Sequence, residues 1–556
     1  MRTAVIAIAV LALAAAPVLA QQAAEPARGV RAAAAQTTPA PGEPLPAPPP
    51  QLVAAVHVHS RASSGSLALA ELAELARAAG VDALVMSENL GYRFRYAPRW
   101  LRPFVHARVA GPTLERYGIE RYLGELEQAR AASPDVTLVA GVEVPPYYYW
   151  TGSLLSGDLT LHDMQRNVLV LPPAGDTAAA ARLLRDLPAV GNDNLRRHGP
   201  ASLAQVLPGL LLLLGAGYGL YRRPPRTTRR RLGLCLATAL IGAALLAVNF
   251  PFSVSPLQPY DAQAGADTAQ RLFEHVRAGG GLAFWSMPEA VDDRERSVGP
   301  VRVRLLTHPY PEALTRTRGY SGFGGVYADT VTAWEPGGVW DDALRAFQAG
   351  ERAAPPWLLG ESAYHWPDHA GKQLDDVLTV LQTGGDAPAD LLAAMAAGRM
   401  YALRRELGSA DLRLAELALL AIAGEPPAAT AADADGGAGG AAAEDLQADG
   451  RAVARLGDTL TLPASGAVGF DLVLQVDDLA AVGTEVVVDV VRNGVLLRRI
   501  EATTPVRRRW REGLADGEPA AYYRVIARAR RPAYLVSNPL FVRRDANGTP
   551  PERPSR

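Results

Sequence analysis

The sequence predicts an α/β fold interrupted by a two-helix membrane hairpin and followed by an all-β region. Three observations carry this. From Leu52 onward, short apolar runs alternate with amphipathic helical stretches; two unbroken apolar segments interrupt that alternation; and beyond residue 450 the pattern changes to strands joined by tight turns.

The chain begins Met1-Arg2 and continues with AVIAIAVLALAAAPVLA, an apolar run with small residues before Gln21, which reads as an export signal over 1–20. Residues 21–51 are rich in Pro and Ala, end in PLPAPPP and read as an extended linker that cannot assemble a core. A first α/β part spans 52–200. It comprises the strand LVAAVHVHS, a helix closed by Gly80, the strand VDALVMS, the helix GIERYLGELEQARAAS, and the strands VTLVAGVEVP and RNVLVLPP. Strands this apolar are buried on both faces, as in a parallel sheet or barrel.

Residues 201–254 form the hairpin, with helices at about 203–221 and 232–252, each near the roughly 20 residues a membrane span needs. The intervening RRPPRTTRRR holds six arginines, and short basic loops stay on the cytoplasmic side. Both flanking regions then lie on the same, outer side, which places the protein in a bacterial cytoplasmic membrane with its main parts periplasmic. The α/β rhythm resumes over 255–423, including a strand at DTVTAWEP, a strand and loop at PPWLLGESAYHW, and a helix APADLLAAMAAGRM running into a last element. A low-complexity loop (424–450), a β-sandwich-like domain (451–543) whose turn Asn493-Gly494 is a strong hairpin signature, and a disordered tail (544–556) complete the expected organisation.

Net charge is −1, which gives no indication of a nucleic-acid partner. Among the 56 basic residues the only lysine is Lys372, so the abundance of Arg reads as compositional bias and not as anion recognition. Cys235 is the single cysteine, and no intrachain disulfide can form.

The chemistry starts at His57-Val58-His59. Side chains on a strand alternate, so both imidazoles project from one face and can reach one ion. The segment HVHS with SSG after it, a helix, GVDALVMSEN and then AGVEV resembles the polymerase and histidinol phosphatase (PHP) superfamily of metal-dependent phosphoesterases. The resemblance covers 52–186 and, more loosely, 260–405. It implies a distorted β/α barrel and a divalent-metal site, with Zn²⁺ or Mn²⁺ as the candidate ions and a phosphate ester or other small molecule as ligand. Carried over by position, the metal ligands are His57, His59, Glu143 and His365, of which Glu143 and His365 are also the catalytic candidates. His162 and Glu88 are additional candidate ligands.

Departures from the family pattern are numerous. Its Asp-Gly reads Ser64-Gly65, its Thr-Asp-His reads Ser87-Glu88-Asn89, a strand-leading His reads Asn167, a His-Pro reads Met287-Pro288, and the closing Asp reads Ala363. Neutral amide, thioether and methyl groups are poor substitutes for the charged and imidazole ligands that several close divalent ions require. One ion at most is therefore expected. Two functions follow from this: a weak mononuclear hydrolase anchored at the membrane, or an inactive PHP domain serving as a ligand-binding or scaffold module. The aromatic run Pro145–Trp150 after Glu143 is a candidate pocket wall.

Overall fold

The computed structural model describes residues 50–98, 107–154, 156–222, 229–250, 252–298, 301–369, 372–405, 409–421, 453–463, 469–515, 517–530 and 532–545. The expected export signal, nearly all of the linker and of the tail, the low-complexity loop and most of the arginine loop lie outside them.

The leading strand Gln51–Val58 is apolar because both its faces are covered: Ala54, Ala55, Val56 and Val58 are all buried. It pairs in parallel with Ala83–Met86, itself parallel to Thr137–Val139, and antiparallel with Val377–Gln382 on its other side. A second sheet runs Glu88–Asn89, Val142–Val144, Val168–Leu171, Leu282–Trp285, Gly322–Val326, Trp357–Gly360. The chain steps from the first sheet to the second between Met86 and Glu88 and again between Val139 and Val142. At the far edge Tyr364 bridges Val58 in parallel, and the amides of Ser362, Tyr364 and His59 bond the carbonyls of Val56 (2.9 Å), His57 (3.0 Å) and Tyr364 (3.0 Å). Segments before and after the apolar hairpin thus share both sheets. The pairing is mixed and not purely parallel, since Val168–Leu171 runs antiparallel to both neighbours.

One strand is displaced from its expected place. The segment DTVTAWEP forms turns, in which the amides of Thr332 and Ala333 bond the Glu289 carboxylate, and the strand is the glycine-rich Gly322–Val326 just before it. Glycine weakens strand propensity, which hid this element; its reason for being glycine emerges at the site below.

The C-terminal strands are joined directly to the sheet of the leading strand. Tyr534–Ser537 pairs with Met400–Arg404, so Ala520–Ala529, Leu540–Arg544 and Glu485–Arg492 continue the sheet of the leading strand. Pairing there removes an open sheet edge that would otherwise invite association. A further four-stranded sheet contains Val453–Ala454, Leu412–Ala421, Gly469–Asp478 and Val506–Gly513. A buried ion pair fixes the union. Asp341, on the helix Val339–Gln348, accepts Nε (3.0 Å) and Nη2 (2.7 Å) of Arg524 and the hydroxyl of Tyr522 (2.8 Å), with both charged side chains 0% exposed.

The helices Leu203–Tyr221 and Arg229–Asn249 are long and apolar enough to cross a membrane. They pack on each other and leave leucines such as Leu211, Leu214, Leu234 and Leu240 more than half exposed. Small residues let helix backbones approach closely. A Cβ on Gly242 would stand 2.8 Å from the Gly209 carbonyl oxygen, so the crossing depends on that hydrogen. Gly242→Leu is expected to force the helices apart at a cost of about 1–3 kcal/mol, visible as a lowered unfolding temperature of the full chain in detergent. An unchanged temperature would argue against this crossing.

Candidate metal centre

His57 does not sit on a regular strand. Its φ is +71°, and the pairing with Ala83–Met86 slips between Val56 and Val58, so a bulge at His57 re-aims the imidazole. Left-handed backbone at a non-glycine residue costs roughly 1–3 kcal/mol and persists where surrounding contacts impose it. Here the contacts are the Tyr364 amide on the His57 carbonyl and a 2.5 Å hydrogen bond between Nδ1 and Oε2 of Glu361. Met287 (φ +42°), whose amide bonds the same carboxylate, and Ala363 (φ +48°), two residues after Glu361, share this backbone conformation.

The sequence-predicted pair converges despite the bulge. The rings of His57 and His59 lie 5.2 Å apart, with Nε2 of His57 3.4 Å from Oε1 of Glu143 and Nε2 of His59 3.6 Å from its Oε2. One ligand atom from each of His57, His59 and Glu143 falls within 4.8 Å of the others, and all three residues are buried. Nε2 of His59 is buried without a hydrogen-bond partner among the described residues. An orphaned imidazole lone pair beside a carboxylate fits a bound divalent cation.

The remaining candidates take other places. His365 stacks flat on His59 at 4.2 Å and shares a 3.0 Å hydrogen bond between its Nδ1 and Ser64, so it borders the group without entering it. Glu88 is no ligand in this arrangement: its carboxylate accepts the Ser60 amide (2.9 Å) and the Ser63 hydroxyl, whose oxygen lies 3.4 Å from Nδ1 of His59. Glu88 thus braces His59 from behind, and burial, partly offset by those hydrogen bonds, pushes its pKa up to about 7. His162 is placed elsewhere, on the strand Thr160–His162 of another sheet, stacked on Tyr149 at 4.5 Å and bonded to Thr151 at 2.7 Å. A loop placement near Glu143 in sequence gave no information about that sheet. Tyr147 and Tyr148 of the aromatic run pack in a separate apolar cluster with Tyr92, Phe94 and Met164 instead of walling the histidines.

The positions that depart from the family pattern hold one another. Asn167 donates its amide to Oε1 of Glu143 (2.5 Å), and Asn89 donates to Ser64 (2.8 Å), which in turn meets His365. Neutral hydrogen-bond partners stand where imidazole and carboxylate groups were expected.

Two residues were missed. Glu361, fully buried, accepts Nδ1 of His57, the Ser286 hydroxyl (2.7 Å) and the Met287 amide (3.1 Å). A Cβ on Gly324 would lie 1.5 Å from its Oε1, which is why that strand position is glycine. The signal was a carboxylate closing an apolar strand in LLGES, matching Glu143 in VAGVEV. Lys372 is the other. Burial lowers its pKa, while the charges of Asp329, Glu143 and Glu361 raise it, and its own charge depresses His59 and His365. The sole lysine of an arginine-rich chain therefore acts electrostatically on these histidines.

Protonation follows from the carboxylates. Burial, the largest single influence, opposes charge on His57, but Glu143 and Glu361 together outweigh it and raise its pKa to about 9. His59 and His365 are driven well below the ordinary range, first by burial and then by neighbouring cations, and are neutral.

No protein-family model and no curated protein matches the chain. Among solved structures it is similar to a two-domain protein containing a predicted PHP-like metal-dependent phosphoesterase from Bacteroides vulgatus, at 10% identity over 88% of this chain and 95% of that one (TM-score 0.31). It is also similar to a putative metal-dependent phosphoesterase from Bifidobacterium adolescentis, at 12% identity over 57% and 89% (TM-score 0.24). A third is an amidohydrolase from Chromobacterium violaceum with bound sulfate and no metal, at 16% identity over 58% and 90% (TM-score 0.24).

Proposed function

We propose that the chain is a PHP-superfamily protein whose two sheets make a distorted β/α barrel, anchored in a membrane by its apolar hairpin, with a single divalent ion at His57, His59 and Glu143. The observation that carries this is the convergence of those three buried groups around a His59 Nε2 that has no hydrogen-bond partner among the described residues. Such an ion, when bound, lowers the pKa of water enough to supply hydroxide near neutral pH.

The chain's own residues do the rest. Glu361 holds Nδ1 of His57 and leaves Nε2 facing Glu143, the arrangement in which a carboxylate fixes the tautomer of a metal-binding imidazole. Glu88, through Ser63, does the same for His59. Asn167 orients Glu143. Lys372 supplies a cation for an anionic substrate, which suits a phosphate ester.

A second reading rests on His57. Protonated between two carboxylates, it balances their charge without any metal, as an inactive ligand-binding module would require. Metal analysis separates the two. Purified full chain, equilibrated with Zn²⁺ or Mn²⁺ and freed of excess, is expected to retain about one ion per chain by elemental mass spectrometry, and His57→Ala none; equal contents support the inactive module. The anchoring is tested by reporter fusions at residues 190 and 227, which should report opposite sides of the membrane.

A further inference from the structure

The sheet of the leading strand keeps one open edge in its C-terminal part. Val495–Thr503 pairs with Glu485–Arg492 on one side, and no strand among the described residues pairs with its other side. Such an edge presents a row of unpaired N–H and C=O groups, a template for a further strand. Exposed apolar side chains mark both of its ends. Outside residues 203–250, the exposed large apolar side chains among the described residues are Leu154, Val291, Leu479, Val482, Val495 and Leu496. Val495 (69% exposed) and Leu496 (41%) open the edge strand. Leu479 (61%) and Val482 (90%) lie on the turn before Glu485, which is held at the strand's other end: the Gly483 amide bonds the Thr504 carbonyl (2.8 Å) and the Thr504 amide bonds the Thr484 carbonyl (2.9 Å). Apolar groups gathered in this way on a surface indicate a contact.

We propose that this edge pairs with the same edge of a second copy of the chain, antiparallel about a two-fold axis at Ile500. Charge sets the register. A two-fold axis opposes the residue at its centre to its own copy, so centres at Arg498, Arg499 or Glu501 would set like charges face to face, which destabilises a strand pair. Centred on Ile500, the pairing opposes Arg499 to Glu501 twice, Arg498 to Ala502 and Leu497 to Thr503. Glu501 is exposed and has no ion pair in its own chain among the described residues. Arg499, its side chain 54% exposed, gives Nε (2.7 Å) and Nη2 (2.9 Å) to Asp489 and keeps Nη1 for the carboxylate of the copy. The same register lays Leu496 opposite Thr504 and Val495 opposite Pro505, beside the turn that carries Val482. The exposed apolar groups of each copy therefore meet those of the other at both ends.

The test uses the full chain in detergent, in a Cys235→Ser background that removes the single native thiol. Residues opposed in an antiparallel pair have Cα atoms about 4.5–5.5 Å apart, within the reach of a disulfide. Oxidised with copper phenanthroline, Ile500→Cys is expected to run as a disulfide-linked dimer on a non-reducing gel. Leu497→Cys and Thr503→Cys should each stay monomeric there, since each lies about 20 Å along the strand from its own copy, and Leu497→Cys/Thr503→Cys should link. Light scattering should give the wild-type chain the mass of two copies. Glu501→Arg, which sets arginine against arginine, should weaken that association about tenfold. If Ile500→Cys does not fold, the Leu497→Cys/Thr503→Cys link and the Glu501→Arg comparison still decide. A monomeric wild type would overturn the proposal, as would Leu497→Cys linking as strongly as Ile500→Cys. A dimer that Glu501→Arg leaves intact would also overturn it and move the contact elsewhere, such as to the apolar hairpin.

Discussion

Asp341→Ala is expected to destabilise the folded chain by about 3–5 kcal/mol, because it leaves the Arg524 guanidinium buried without its counter-ion. The pair is completely enclosed, and three further contacts depend on it: the Tyr522 hydroxyl, the Gly337 amide at 2.8 Å, and the Arg524 guanidinium held 5.0 Å over the Trp340 ring. Denaturant unfolding of the full chain would show the loss as a lower midpoint. The double variant Asp341→Leu/Arg524→Met should recover much of it, since it removes both buried charges together. A single variant within about 0.5 kcal/mol of wild type would mean that the helix Val339–Gln348 and the C-terminal strands are not joined as described.

Gly324→Ala should have an effect out of proportion to one methyl group. The added carbon would lie 1.5 Å from Oε1 of Glu361 and must expel that carboxylate, stripping the acceptor from His57, the Ser286 hydroxyl and the Met287 amide at once. Each buried donor left unmade costs about 1–3 kcal/mol. Losing the carboxylate that orients a ligand histidine lowers metal affinity about 10–100-fold. Glu361→Gln, which keeps the volume and an acceptor oxygen, should retain most of the stability while losing metal affinity, a split that isothermal titration and thermal unfolding together would detect. Equal losses of both in the two variants would reduce Glu361 to a packing role.

Much of this was legible in the sequence, and what was not has physical reasons. Leading strands such as Gln51–Val58 and Val168–Leu171 announce themselves because burial on both faces demands unbroken apolar runs. His57, His59 and Glu143 were legible because they end such runs with polar groups. Leu412–Ala421 was not, since its Leu and Ala favour helix locally and only pairing with Gly469–Asp478 makes it a strand. The charged strand Asp292–Val298 carries no apolar alternation to reveal it, whereas its partner Val301–Thr307 alternates over Val301, Val303 and Leu305 and went unread. Glu361 escaped because no spacing rule links it to a histidine about 300 residues away; only folding brings them to 2.5 Å. Lys372 was read as compositional bias, though its rarity was the clue. An ordinary histidine loses its proton around pH 6 to 7, whereas His57 keeps its proton up to about 9, so competition between protons and metal begins higher.

One divalent ion is expected at His57, His59 and Glu143, and proton release on binding is the measurement that decides it. Below pH 9 the metal-free His57 is protonated, so an ion using its Nε2 must displace that proton; His59, already neutral, releases none. Calorimetric titration of the full chain with Zn²⁺ or Mn²⁺, repeated in buffers of different ionisation enthalpy at pH 7.5, should give about one ion and about one proton released per chain. Affinity should rise close to tenfold per pH unit up to about pH 9 and level off above it. His57→Ala should abolish both the binding and the release. Wild-type protein that binds no more metal than His57→Ala, or that binds it with no proton released between pH 7 and 9, would contradict the account.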